Sequence, residues 1–285
     1  MTDAPNRPPT GVRALARQRQ EVILADLRRN GSVRVAELAH RLGVSDMTVR
    51  RDLDALDESG ALTKVHGGAT IRDQHSTDEP GFEAKSLRNT GEKHAIAMAA
   101  AGMVKRGAAI GITAGTTTWQ LAFHMVDVPD LTVVTNSVRV ADVFHHSPRS
   151  DRVVVLTGGL RTPSDALVGP VATAALRTMH LDLVFMGVHG MSERAGFTTP
   201  NLMESETNRA FVATGDRLVV LTDHTKWNVQ GLSTIADLDE ADVLITDSGL
   251  TPTARATLAT HVRQLLTVDP VYSNRTTDLT QLRRA

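Results

Sequence analysis

The punctuation of residues 37–68 constrains the fold of this chain more than any other feature. Leu38 and Leu42 stand one helical turn apart, Gly43 follows at once, and Ser45 opens a second apolar series, Val49, Leu53 and Leu56, spaced i, i+4, i+7. Glycine supplies the tight turn two crossing helices need, and serine is a natural cap for the helix that follows. Gly60 closes that helix, Leu62-Thr63-Lys64-Val65 reads as a strand, and His66-Gly67-Gly68 turns the chain back. A helix also precedes the series: from about Ala16, Val22, Ile23 and Leu27 share one face, and the pattern stops at Asn30-Gly31. Three helices and a hairpin in this order predict a small winged helix-turn-helix domain.

The apolar stripe of the third helix leaves Asp46, Met47, Thr48, Arg50, Arg51 and Asp52 near its N-terminal end and on its exposed side. In this motif that end enters the major groove. Arginine can bridge two acceptors on guanine or clamp a phosphate, and hydroxyls at a helix start can donate to phosphate oxygens beside free backbone N–H groups. An arginine pair alone would be a solvated face; the surrounding series outweighs that reading.

At 285 residues, with 41% hydrophobic and 22% charged residues, the chain has the length for about two domains and the composition of a folded protein. It contains no cysteine, which excludes disulfides, thiolate metal sites and cysteine nucleophiles together. No apolar run approaches about 18 residues and the N-terminus lacks an apolar signal core, so a cytoplasmic address is expected. The net charge of −1 favours no partner, although residues 1–35 carry seven arginines against Asp3, Glu21 and Asp26.

The run from Arg17 to Ala69 closely resembles the DNA-binding domain of the DeoR family of bacterial transcriptional regulators, most diagnostically in LGVSDMTVRRDL and LTKVHGGA. The resemblance implies that Ser45, Met47, Thr48, Arg50 and Arg51 read operator DNA and that Lys64 and His66 make wing contacts.

Residues 1–13 hold three prolines and no periodicity and are expected to form a mobile arm ahead of a DNA-binding domain at 14–70. The polar, aperiodic stretch 71–90 is expected as the linker. From 91 to 269 strands and helices alternate, with strands expected at 108–112, 131–135, 153–157, 181–187, 217–222 and 243–246. This predicts an α/β domain with a mainly parallel sheet covered on both faces, whose ligand lies outside the carboxyl ends of the strands. Residues 270–285 are left as a tail.

Those strand ends are rich in residues suited to an anion. Ala114-Gly115-Thr116-Thr117-Thr118 follows the first strand and opens a helix, where hydroxyls, free N–H groups and the helix dipole converge. An N-capped turn explains the loop equally well. No Walker or GxGxxG pattern is present, so nucleotide binding is not favoured, and no cofactor is expected. Asn136, Gly158-Gly159, His189 and Asp223 with Lys226 follow other strands. Lys226 would complement a phosphate dianion, though by itself it is an ordinary surface lysine. His189 and His224 also fall near this rim, but a lone histidine is more often structural, and the spacing of the histidines predicts no metal site.

The runs AGTTT, VVTNS, LTGG, LVGP, GFTTP and DHTK also resemble the DeoR family, in its sensor domain, which is similar in fold to ribose-5-phosphate isomerase. The resemblance implies a phosphorylated sugar or related effector and a homo-oligomer, dimer or tetramer. Thr113-Ala114 stands where the family usually has an acidic residue. The isomerases carry an acidic run after the strand that corresponds to Asp182–Phe185; here that run reads Met186-Gly187-Val188-His189-Gly190, without the acids, and sugar isomerisation needs a carboxylate base. A regulator is therefore expected over an enzyme; an isomerase-type enzyme, with Glu204, Glu206 and Lys226 near the rim, is the alternative. An architectural DNA-binding protein without a ligand is disfavoured by the elaborate strand-end loops.

Overall fold

The computed structural model describes residues 16–30, 32–58, 61–70, 76–77, 79 and 81–271. The arm expected at 1–13, Gly31, Gly60 and the tail from 272 onward lie outside the described residues. The chain divides into two compact units, Met1–Gln74 and His75–Ala285.

The first unit comprises α1 (Ala16–Asn30), β1 (Ser32–Arg34), α2 (Val35–Leu42), α3 (Asp46–Glu58), β2 (Thr63–Val65) and β3 (Gly68–Thr70). Its strands form an antiparallel sheet in the order β1-β3-β2. Ile23, Leu27, Leu38, Val49, Leu53, Leu56 and Leu62 are buried together with Val33, Val35 and Ala69. Val22, expected on the same face as Ile23 and Leu27, is 43% exposed, since one step of about 100° carries it off the stripe. The strand β1 was not foreseen: three residues with one buried valine give no period of their own.

The second unit comprises α4 (Phe82–Ser86), α5 (Thr90–Ala101), β4 (Ala109–Ile112), α6 (Thr116–Met125), β5 (Thr132–Thr135), α7 (Val138–His145), β6 (Val153–Leu156), β7 (Leu160–Arg161), β8 (Leu167–Val168) and α8 (Pro170–Leu176). There follow β9 (Leu183–Gly187), β10 (Gly190–Ser192), β11 (Gly196–Thr199), α9 (Leu202–Thr214), β12 (Leu218–Leu221), β13 (Ser233–Ala236), β14 (Val243–Asp247), α10 (Pro252–His261) and β15 (Leu265–Val268). Seven strands pair in parallel in the order β15-β14-β12-β9-β4-β5-β6. Period-two alternation splits each strand between two cores: Val184, Met186, Val220 and Leu244 belong to one, and Leu183, Phe185, Val219, Leu221, Val243 and Ile245 to the other. Both faces are therefore covered, as expected for a parallel sheet.

From β4 the chain winds outward through β5 to β6, then returns to β9 on the other side of β4 and winds away through β12, β14 and β15. The direction of winding thus reverses between β4 and β9, and a crevice at the carboxyl ends of such strands is where parallel sheets bind ligands. Two smaller sheets, β7-β8 and β10-β11-β13, decorate this unit. Among the described residues, no helix is long and apolar enough to cross a membrane.

Candidate functional site

The helix α3, expected to read DNA, is set by its cap. Gly43 takes the left-handed φ of 63° that ends α2, with its N–H bonded to Ala39 O. Ser45 Oγ then accepts from Thr48 N at 3.2 Å, and Ser45 O accepts from Val49 N at 3.1 Å. Ser45, Met47, Arg50 and Arg51 are exposed, and Met47 is 63% exposed although it is the large apolar residue of this face. Thr48 is half-buried, its hydroxyl 3.0 Å from that of Ser45. Asp52, expected on the exposed side, is instead buried and ion-paired with Arg19 at 2.7 Å. That pair fastens α3 to α1. In the wing, His66 is exposed, and the Lys64 ammonium is paired with Asp54 of α3.

In the second unit the loops after β4 and β9 meet at the switch point. Thr113 N bonds Phe185 O at 3.0 Å, and Gly187 N donates to Thr113 Oγ1 at 3.1 Å. A Cβ on Gly115 would stand 3.8 Å from the Gly187 Cα, so the two loops approach to within ordinary contact here. Thr116 and Thr117 form the first turn of α6, where backbone N–H groups lack intrahelical acceptors. The Thr118 hydroxyl is committed inward, donating to Gly115 O at 3.0 Å.

Several residues expected at the site are occupied as scaffold. Both ends of the buried Asn136 amide are used: Oδ1 accepts from Ala114 N at 2.8 Å and Nδ2 donates to Leu167 O at 3.1 Å. Gly158 and Gly159, at φ 71° and 120°, make the turn from β6 to β7, and a Cβ on Gly159 would lie 2.4 Å from Val168 O. They shape the β7-β8 hairpin. Asp223 is buried, accepting from Thr225 N at 3.0 Å and from the Asn89 side chain at 3.1 Å. It thereby caps the one-turn helix His224–Lys226 that carries Lys226. The backbone N–H of His189 donates to Thr198 O at 3.1 Å.

The residues that sequence reasoning missed come from the stretch expected as linker and from the helix α5 that follows it. Within 71–90, Phe82 is buried with its ring edge-on to Trp119 at 5.5 Å, and Phe82 N donates to Pro163 O at 3.2 Å. Lys85 Nζ donates to Ser164 Oγ at 2.7 Å. On α5, Lys93 is 4% exposed and its Nζ donates to Lys85 O. Burial holds the Lys85 ammonium below its ordinary range, with Lys226 and Arg88 adding to the effect. Burial likewise lowers Lys93 to about 8, against the pull of Asp223 and helped by Lys226, Lys85 and Arg88. The Lys85 and Lys93 side chains are thus neighbours, and the charges of Arg88 and Lys226 act on both.

Carboxyl groups flank them. Glu204 accepts from Thr162 Oγ1 at 2.8 Å and Thr199 Oγ1 at 3.1 Å, and Glu79 accepts from Ser164 Oγ at 2.9 Å and Asn201 Nδ2 at 3.0 Å. Burial, then the Glu79 charge, raises the Glu204 carboxyl above its ordinary value. Glu206 is exposed. His224 Nδ1 lies 2.7 Å from Asp247 Oδ2, and that bond is the main reason its imidazole is held more basic than usual. β9 ends at Gly187, and Val188 and His189 follow it. The arrangement suits binding of an anion bearing hydroxyls.

Residues 19–75 match the DeoR-like helix-turn-helix domain, and residues 88–248 match the DeoR C terminal sensor domain. The HTH-type transcriptional regulator GolR of Listeria innocua is 36% identical over 232 residues, 81% of this chain and 90% of that protein. The lactose phosphotransferase system repressor of Streptococcus mutans is 32% identical over 231 residues, 81% of this chain and 91% of that protein. A ribose 5-phosphate isomerase A from Methanocaldococcus jannaschii aligns with a TM-score of 0.36 and 16% identity, over 49% of this chain and 55% of that one. With both of its units matched, the chain belongs to the DeoR family of DNA-binding helix-turn-helix transcriptional regulators.

Proposed function

We propose that this regulator is a cytoplasmic homo-oligomeric repressor of carbohydrate-metabolism genes, whose hold on operator DNA is modulated by a phosphorylated sugar or related metabolite, and that it is not an enzyme. The observation that carries the effector reading is the joining of the β4 and β9 loops at the switch point, Thr113 N to Phe185 O and Gly187 N to Thr113 Oγ1, where the first turn of α6 begins. Ser45, Met47, Thr48, Arg50, Arg51, Lys64 and His66 are assigned to DNA. Gly115, Thr116, Thr117 and Lys226 are assigned to direct contact with the effector. Thr118, Asn136, Gly158, Gly159, His189 and Asp223 are assigned to the same site as its frame. In this division residues 14–70 read and 91–269 sense, with the stretch 71–90, expected as the linker, lending Glu79, Phe82 and Lys85 to the sensing unit, and only an effector that binds the two arrangements of the oligomer unequally can shift them. The lactose repressor among the relatives supports the choice of carbohydrate genes.

The test is fluorescence anisotropy of the full chain on DNA from upstream of its own and neighbouring genes, at fixed salt, with sugar phosphates and their unphosphorylated parents. Tight, sequence-selective binding weakened by one phosphorylated compound is expected. Binding that is unselective and indifferent to every compound overturns the reading, and turnover of a sugar phosphate by the chain would replace it with the isomerase.

A further inference from the structure

The strand β6 closes one end of the large sheet, and its outer side meets no other strand among the described residues. Its inner side is satisfied by β5: Val153 N donates to Leu131 O at 2.9 Å and Thr157 N to Thr135 O at 3.0 Å. Backbone groups alternate in direction along a strand, so those of Val154 and Leu156 are turned outward. A bare edge in a monomer is normally blunted by a charge, a proline or a bulge. The run Val153-Val154-Val155-Leu156-Thr157 carries neither charge nor proline, and its register against β5 runs without a shift.

The side chains at this edge are as open as the backbone. Val153 is 57% exposed and Leu156 43%, and the apolar surface runs on past the strand through Leu160 and Val171, since a Cβ on Gly158 would touch Val171 Cγ1 at 3.4 Å. On the α7 side, Val154 and Leu156 line a groove together with Phe144, Asp142, Arg149 and Arg152. The Arg152 guanidinium uses Nη2 on Val126 O at 2.6 Å, while its Nε and Nη1 are shut off from solvent without an acceptor. The edge thus holds unmet donors in a side chain as well as in its backbone. The opposite edge differs: along β15, Leu265, Leu266 and Val268 are half-buried and Thr267 is the exposed residue.

We infer that β6 pairs antiparallel with β6 of a second copy of this chain, across a two-fold axis at Val155, joining the two seven-stranded sheets edge to edge. This rests on the homo-oligomeric reading above and gives the oligomer its surface. A two-fold axis normal to a sheet keeps each face on its own side, so only residues of like parity come opposite one another and the axis must pass through a residue. With the axis at Val155, Val154 stands opposite Leu156 of the copy, and these are the residues whose backbone groups are free to exchange bonds. Val153 stands opposite Thr157, Arg152 opposite Gly158 and Asp151 opposite Gly159, so no charge meets a like charge. Moved to Val154, the axis would set the Arg152 charge against Leu156. The strand is complementary to itself, which an isologous interface requires and an unrelated partner does not. Only β5 lies between this edge and β4, whose loop opens the candidate site, so interface and site share one sheet.

Because the chain contains no cysteine, a single introduced one reports cleanly. Val155→Cys in the full chain is expected to give a disulfide-linked dimer under mild oxidation, since opposed residues of a non-hydrogen-bonded antiparallel pair have Cα atoms about 4.5 Å apart, within disulfide reach. Met98→Cys, on the exposed side of α5, is the control and should stay unlinked. Leu156→Lys should raise the dissociation constant of the oligomer about tenfold or more in sedimentation equilibrium, with the far-ultraviolet circular dichroism unchanged. Where the lysine variant fails to fold, the two cysteine variants decide alone. An oligomer in which Val155→Cys stays unlinked, links no faster than Met98→Cys, or is as tight with Leu156→Lys as without it overturns the inference and leaves the homo-oligomer standing. A wild-type chain that is monomeric at micromolar concentration overturns both.

Discussion

Lys93 is buried with Lys85, Arg88 and Lys226 acting against its charge and Asp223 favouring it. Its folded-state value of about 8 lies below the ordinary 10.5, so between those values the unfolded chain holds more protons and stability rises with pH. Relative to a Lys93→Met variant, the wild type should gain on the order of 3 kcal/mol as pH climbs from 8 to 10.5, read from urea unfolding of the sensing unit. A difference that stays flat across this window would show that Lys93 is an ordinary lysine. Not all such residues were legible in the sequence. Thr116, Thr117 and Lys226 could be found because each follows a recognisable strand. Glu79, Lys85 and Lys93 could not, because they lie in or beside an aperiodic polar stretch. Their partners at Ser164, Asn201 and Asp223 are about 79 to 130 residues away in sequence.

At the scale of elements, α3 was legible because its cap, its stripe and its preceding turn agree on one helix. Arg50→Ala should weaken specific operator binding by about 1–3 kcal/mol and lower the salt dependence, while the anion-induced rise in melting temperature of the second unit is unchanged; anisotropy and calorimetry read the two separately. The helix α6 makes the opposite prediction. A Thr116→Ala, Thr117→Ala double variant should lose roughly tenfold or more in affinity for a sugar phosphate and keep its operator affinity, and loss of both together would refute the division of labour. The short strands β10, β11 and β13 escaped the sequence because Gly-Met-Ser and Gly-Phe-Thr-Thr have neither the length nor the alternation that marks a strand. β15 escaped too: its Leu-Leu-Thr-Val run is only partly buried at the edge of the sheet. What they pair with is decided by tertiary contacts that single-sequence periodicity does not contain.

The whole molecule has separate cores: Ile23 to Ala69 furnish one, and all buried residues of the other two clusters come from the second unit. Two glycines make this testable. A Cβ on Gly68 would lie 2.0 Å from Val33 O, so Gly68→Ala should depress only the melting of the first unit, by about 2 kcal/mol or more. A Cβ on Gly111 would lie 2.9 Å from Leu181 Cδ1 and 3.1 Å from both Phe211 and Val184, so Gly111→Val should depress only the second. Differential scanning calorimetry that showed both transitions moving together would contradict the separation. The independence of the cores also bears on how chains of this architecture diverge. If the proposed assignments hold, substitutions on the exposed face of α3 should alter which genes are addressed and substitutions around α6 and Lys226 which metabolite is heard, each leaving the other core's packing intact. Descendants can thus explore addresses and signals as two nearly independent searches.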